Sequence, residues 1–223
     1  PACSDAGIPF GAAIWGYYNY LNKKAKLNFI NAYTGPKYNL EITWDLLKRH
    51  KINFKPYCKK FIASQISIGK VIGRCSGRSE YGPRALGNRS ILADPRSLKM
   101  RDYLNTHVKH REMFRPFAPI ILEKESLNYF DIAKSPYMLQ VAKVKKLKKI
   151  PSASHIDGTA RVQTINKKQN KILYELIEEF KKITGVPCLL NTSFNDAGEP
   201  IVETHLDALI TFMSTKIDIL ILE

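Results

Sequence analysis

The stretch from 172 to 190 constrains the fold more than any other. Ile172, Leu173, Leu176, Ile177, Phe180 and Ile183 recur at helical spacing on one face, Gly185 follows where a helix can stop, and Pro187–Leu190 (PCLL) reads as a buried strand beyond it. A helix with so complete an apolar stripe has to bury it. The same elements recur along the chain: helices are expected at Ile42–His50 (apolar face Trp44, Leu46 and Leu47), Tyr57–Ser67, Lys124–Phe130 and Glu203–Ser214. Strands are expected at Gly69–Ser76, Phe117–Leu122, Tyr137–Val144, Arg161–Thr164 and Ile217–Leu222. A further helix begins at Asp94-Pro95 and carries Lys109 and Arg111 out of its C-terminal end. Residues 1–24 read as an Asp-Ala-Gly turn, with Asp5 as an N-cap, feeding an apolar helix rich in Ala, Trp and Tyr.

Between the strand at 69–76 and the helix begun by Asp94 lies GRSEYGPRALGNRSILADPR, Gly77 to Arg96, the densest chemistry in the chain. Arg78, Arg84, Arg89 and Arg96 alternate with Gly77, Gly82, Pro83 and Gly87. Guanidinium forks match phosphate or carboxylate oxygens two at a time, and glycine lets backbone N–H groups approach the same ligand. The stretch therefore reads as an anion site. A solvated basic loop is the plainer alternative, and Leu86, Ile91 and Leu92 argue against it by tethering the segment to a core.

The 223 residues carry a formal charge of +15, which favours anionic partners, although lysines spread over surfaces account for much of it. Cys3, Cys58, Cys75 and Cys188 have no C-x-x-C spacing, so reduced thiols in a cytoplasmic protein are expected. The longest apolar runs, near Ile8–Ile14 and Ile217–Leu222, are too short to span a bilayer. The chain starts at Pro1, and a piece of a longer polypeptide is expected. His107 and His110 form an H-x-x-H without a third ligand in register, a weak basis for a metal. Lys145, Lys146, Lys148 and Lys149 read as a solvated connection rather than an RNA tract. There is no P-loop, no G-x-G-x-x-G and no Ser-His-Asp order, so the equipment suits charge stabilisation better than proton shuttling.

GRSEYGPRALGNRSILADPR, then Arg111–Pro119 (REMFRPFAP), Asp157–Gln163 (DGTARVQ) and Asn191–Val202 (NTSFNDAGEPIV), occur in the order found in NodU/tobramycin-type O-carbamoyltransferases, and the chain resembles the C-terminal part of that family. The resemblance implies an α/β (α+β) fold: a YrdC-like mixed twisted sheet with flanking helices at 57–223, preceded at 1–56 by the last helix of an actin-like (ASKHA) carbamoyl-transfer domain and a connector. It implies that carbamoyl phosphate and ATP, the latter with Mg2+, give carbamoyl adenylate. The missing N-terminal domain would pass the carbamoyl group to a hydroxylated small-molecule acceptor.

Carried onto this sequence, the family's pattern makes Arg84, Lys109 and Arg115 the catalytic candidates, with Arg161 and Ser193 beside them. Arg78, Arg89, Arg111, Thr192 and Asn195 are further nucleotide- or substrate-binding candidates. Glu80 is expected to orient arginines rather than touch an anion. Asp5 matches one ligand of a site for Fe2+ or a similar metal, complete only in the longer protein. Cys75, Ser76 and Ser79 depart from the family's usual residues, which predicts altered packing under the loop and the same reaction class. A nucleotide- or RNA-binding module without complete catalysis is the other reading. Nucleic acid is disfavoured because the aromatics form no stacking pattern.

Overall fold

The computed structural model describes residues 1–24 and 31–223, so the start of the expected connector, 25–30, lies outside the described residues. The elements in chain order are α1 (Ile8–Trp15), α2 (Leu40–Arg49), α3 (Lys59–Ser67), β1 (Ile72–Cys75), β2 (Arg89–Ala93), α4 (Leu98–His107), β3 (Ala118–Leu122), α5 (Ser126–Tyr129), β4 (Gln140–Lys143), β5 (Thr159–Ile165), α6 (Lys171–Thr184), β6 (Cys188–Ser193), α7 (His205–Ser214) and β7 (Ile219–Leu222). The strands make one seven-stranded mixed sheet in the order β4-β5-β3-β6-β2-β1-β7. Within it β1 runs parallel to β7 and β3 parallel to β5, while the remaining pairs are antiparallel.

Alternation along the strands divides the core into two layers. Leu92, Ile120, Leu122 and Leu189 face one side, where Leu173, Leu176, Ile177 and Phe180 of α6 and Ile62, Ala63 and Ile66 of α3 cover them. Ile91, Ala93 and Leu190 face the other, under Met100 and Leu104 of α4 and Ala208 of α7. Helix α6 is the one the sequence announced, and Gly185 ends it in the left-handed conformation with φ 74°. The mixed α/β sheet with flanking helices is the expected architecture.

Several local expectations are corrected. The Gly77–Arg96 stretch is not one loop: its second half is β2, fully buried between β1 and β6. Asp94 starts no helix, because its carboxylate is held by the Arg96 guanidinium at 2.6 Å, and α4 begins only after Ser97. Asn191-Thr192-Ser193 belongs to β6 rather than to the loop after it. Asp5 sits inside a single exposed turn, Ser4–Gly7, and Gly7 stands at the N-cap of α1. Of the face expected for α2 only Leu47 is buried, whereas Trp44 stays 44% exposed. Among the described residues no helix is long and apolar enough to cross a membrane.

Candidate functional site

β1 and β6 end, and β2, β3 and β5 begin, at one end of the sheet, as their registers require. The loop 76–88 between β1 and β2 lies over that end. Its shape is set from inside. One carboxylate oxygen of Glu80 accepts the backbone N–H groups of Leu86 at 2.8 Å, Asn88 at 2.7 Å and Arg89 at 3.3 Å. Glu80 thus orients backbone, not guanidinium groups. Burial pushes its carboxyl above the usual carboxylate range, and the amides pull it back. From the sheet, Asn191 Nδ2 donates to the Ala85 carbonyl at 3.1 Å and to Gln163 Oε1 at 2.7 Å, and Gln163 Nε2 donates to the Leu86 carbonyl at 2.7 Å. Gly87 is required where it is, since at φ +124° an added Cβ would lie 2.2 Å from Leu173 Cδ2.

Two arginines are consumed by this frame. Arg89, a binding candidate from sequence, is 1% exposed. Its guanidinium donates to the carbonyls of Glu203 at 2.9 Å, Ser76 and Asn88 at 3.0 Å and Gly77 at 3.3 Å. It is loop scaffolding, with no fork left for an anion. Arg74 does the same from β1, donating to the Gly87 carbonyl at 2.6 Å and Asn88 Oδ1 at 2.9 Å while pairing with Glu223 at 3.0 Å. Arg78, also a candidate, is exposed and donates to the Gly35 carbonyl at 2.9 Å.

The remaining cations behave differently. Arg84, on the loop, and Arg161, on β5, each keep a buried Nε with no hydrogen-bond partner among the described residues; Arg74 Nε is bare as well, but its two other guanidinium nitrogens are engaged. Burial and then the neighbouring Arg84 lower the pKa of Arg161. Burial and Arg115, with Arg161 adding to them, bring Arg111 down to about 10, while its guanidinium lies 4.6 Å from the Phe117 ring centre. Arg115 is an exposed rim residue paired with Glu112 at 3.0 Å. Asn105 ties the two together, accepting from Arg111 Nε at 2.8 Å and donating to the Arg115 carbonyl at 3.0 Å.

Lys109, only 3% exposed, turns inward. Its ammonium donates to the Ser193 carbonyl at 3.0 Å and to the Asn195 carbonyl and Oδ1 at 2.6 and 2.5 Å. Burial, then Arg111, bring its pKa down to about 7. Ser193 Oγ donates to Asn195 Oδ1 at 2.7 Å, and Thr192 is half-buried beside it on β6. The fold therefore brings Lys109, Ser193 and Asn195 into contact, and puts the charge of Arg84 near Arg161 and those of Arg115 and Arg161 near Arg111. Like charges held this close and partly buried cost free energy.

Sequence reasoning missed Arg74, Asn105, Gln163 and Asn191. For the last two a signal existed: a lone amide inside an apolar strand, in Arg161–Thr164 and after PCLL, has to find a partner in the interior. His110 does not join His107; it sits 2.8 Å from an Asp196 oxygen, and His107 packs near the Tyr103 ring at 5.0 Å. In the lysine run, Lys145 Nζ donates to the Leu127 carbonyl at 2.7 Å and Lys146 lies 4.7 Å from the Tyr129 ring centre, so both fold back on the surface. Among the described residues no three His, Cys, Asp or Glu side chains gather to hold a metal. Exposed Asp5 therefore does not make a metal centre by itself.

Residues 63–223 match the family model described as carbamoyltransferase C-terminus. The chain belongs to this family. It is 41% identical over 232 residues to nodulation protein NolNO of Sinorhizobium fredii, covering 98% of this chain and 34% of that protein. It is 40% identical to nodulation protein NolO of Bradyrhizobium diazoefficiens, covering 98% of this chain and 42% of the relative. A 140-residue match to nodulation protein U of S. fredii is 44% identical and covers 61% of this chain and 25% of that protein. The chain thus spans well under half the length of these relatives. Among solved structures, full-length HypF in a phosphate- and nucleotide-bound form superposes with TM-score 0.53 over 81% of this chain and 27% of HypF. At 19% identity that likeness speaks for the fold alone.

Proposed function

We propose that this carbamoyltransferase C-terminal domain, at 57–223, activates a carbamoyl group as its adenylate, taking carbamoyl phosphate and ATP. Carbamoyl phosphate loses its phosphate to water, leaving carbamate. A carbamate oxygen then attacks the α-phosphorus of ATP, and the bond from that phosphorus to the bridging oxygen breaks as pyrophosphate leaves. Charge accumulates on phosphoryl oxygens throughout, so positioning and neutralisation are what the protein has to supply. The observation that carries the reading is that Arg84 and Arg161 keep buried, unpartnered Nε atoms beside each other's charge, where Arg74, with the same bare Nε, is engaged through its other nitrogens.

In this reading Arg84 and Arg161 take the phosphoryl oxygens, and Arg111 and Arg115 line the rim. Lys109 holds Ser193 and Asn195 in place and lends its charge, its donors being engaged by the loop. Thr192 and the Ser193 hydroxyl offer short polar contacts, whereas Arg78 and Arg89 take no part in binding. Mg2+ would arrive on the phosphates of ATP. Transfer to a hydroxylated acceptor, and the metal site to which Asp5 would contribute, belong to the rest of the longer protein, with 1–56 as the tail of its transfer domain. The test is pyrophosphate release from ATP with and without carbamoyl phosphate. Release that needs both, and that Arg84→Ala and Arg161→Ala each abolish, is expected. Release unchanged in both variants would overturn the proposal.

A further inference from the structure

The loop that presents Arg84 is braced from a segment outside the matched family span. The Tyr33 hydroxyl donates to the Leu86 carbonyl at 3.0 Å, the same oxygen that Gln163 holds from the sheet at 2.7 Å. Tyr33 makes an antiparallel bridge to Glu80, the residue whose carboxylate gathers the loop amides. On either side, Tyr81 N donates to the Ala32 carbonyl at 2.7 Å and Gly35 N to the Ser79 carbonyl at 3.1 Å. Arg78 closes the set onto the Gly35 carbonyl at 2.9 Å. Residues 32–35 thus run beside the loop, joined to it by one isolated bridge and flanking backbone hydrogen bonds, with Ala32 buried against Leu86.

We infer that Tyr33 is a positioning residue for the anion site: its hydroxyl holds the Leu86-Gly87 peptide, and the backbone of 32–35 holds the loop beside it, so that Arg84 aims at the ligand. The inference rests on the anion-site reading above and goes beyond it, because it adds a determinant that lies before residue 63, where the family match begins. Leu86 is the pivot. Its N–H is fixed by Glu80 and its carbonyl is fixed by both Gln163 and Tyr33, so the peptides on both sides of Leu86 are held and the guanidinium two residues earlier inherits its direction from them. Burial and the nearby Glu80 push the Tyr33 hydroxyl above its ordinary range, so it stays a donor at any working pH. Tyr33 touches no reacting atom; it acts through Arg84.

The experiment is a double-mutant cycle on the full 223-residue chain, titrated with ATP by calorimetry. Tyr33→Phe keeps the ring in its apolar packing and removes one hydrogen bond, which predicts about a fivefold loss of ATP affinity with the thermal midpoint little changed. Combined with Arg84→Ala, the same change should cost nothing further, since the residue it positions is gone. If Arg84→Ala weakens binding and Tyr33→Phe does not, or if the two losses simply add, the positioning role is overturned and the site stands. If Arg84→Ala leaves ATP binding unchanged, the site reading itself falls. Amide exchange in the unsubstituted chain gives a check independent of any variant's folding. ATP should slow exchange at Tyr81 and Gly35 as well as at Leu86 and Asn88, and protection confined to the latter two would overturn the inference.

Discussion

Lys109 offers a quantitative test of how the site stores charge. Its ammonium is buried, and its pKa falls from an ordinary 10.5 to about 7 in the folded chain. The sign follows from linkage: between those two values the unfolded chain holds a proton that the folded chain has released, so stability rises with pH across the window. Below pH 7 the folded state carries the whole cost of the buried charge. Raising pH from 7 to 9 should relieve roughly 2 kcal/mol of it, from about 1.4 kcal/mol per pKa unit with the folded group half-titrated at the start. Other groups titrate in the same range, so the comparison is with Lys109→Met, which keeps the stem and deletes the charge. Urea unfolding of both chains at pH 7, 8 and 9 should give stabilities whose difference moves by roughly 2 kcal/mol in favour of the unsubstituted chain. A difference flat to within about 0.5 kcal/mol would refute the reasoning. It would mean that the oxygens of Ser193 and Asn195 keep the lysine charged and that no charge strain resides there.

Arg161→Met should abolish binding of carbamoyl phosphate with ATP while leaving the urea midpoint unchanged or higher, because it removes a buried, unpartnered donor and a repelling charge; a clear loss of stability would show that the arginine is structural. Arg89→Met should do the reverse, leaving the carbonyls of Ser76, Gly77, Asn88 and Glu203 without their donor and costing about 3 kcal/mol or more; thermal unfolding reads it, and a near-neutral result would contradict the scaffolding role. Gly87→Ala should cost about 2–4 kcal/mol through positive φ and the contact with Leu173. A midpoint within experimental error of the parent would mean that the loop has another accessible shape.

Helix α6 was legible because its periodicity is local, and so was the glycine that ends it. β2 was not. Its buried run Ile91-Leu92-Ala93 is a strand signal, but Arg89 and the glycines before it read as loop chemistry, and only pairing with β1 and β6 reveals the strand. Residue type misled again at Arg89: an arginine among glycines is equally suited to an external anion and to the carbonyls of its own turn, and the choice depends on Glu203, 114 residues away. The grouping of Lys109 with Ser193, 84 residues apart, could be anticipated from the resemblance but from no pattern in the residues themselves. Gln163 and Asn191 stood inside quoted motifs without being singled out, because the carbonyls they hold lie on a loop distant in sequence.

The position of β6 between β3 and β2 has a consequence for how the molecule comes into being. Arg74, Arg84, Arg89, Arg111, Arg115 and Arg161 all precede residue 188, where the strand that joins the two halves of the sheet begins. Pairings of such long sequence separation form slowly. A growing chain halted just short of Cys188 would contain every arginine of the site, but not the strand that joins the half carrying β5 and Arg161 to the half whose loop carries Arg84. The capacity to hold an anion should therefore appear abruptly, with the insertion of one late strand, rather than accumulate as the arginines are made.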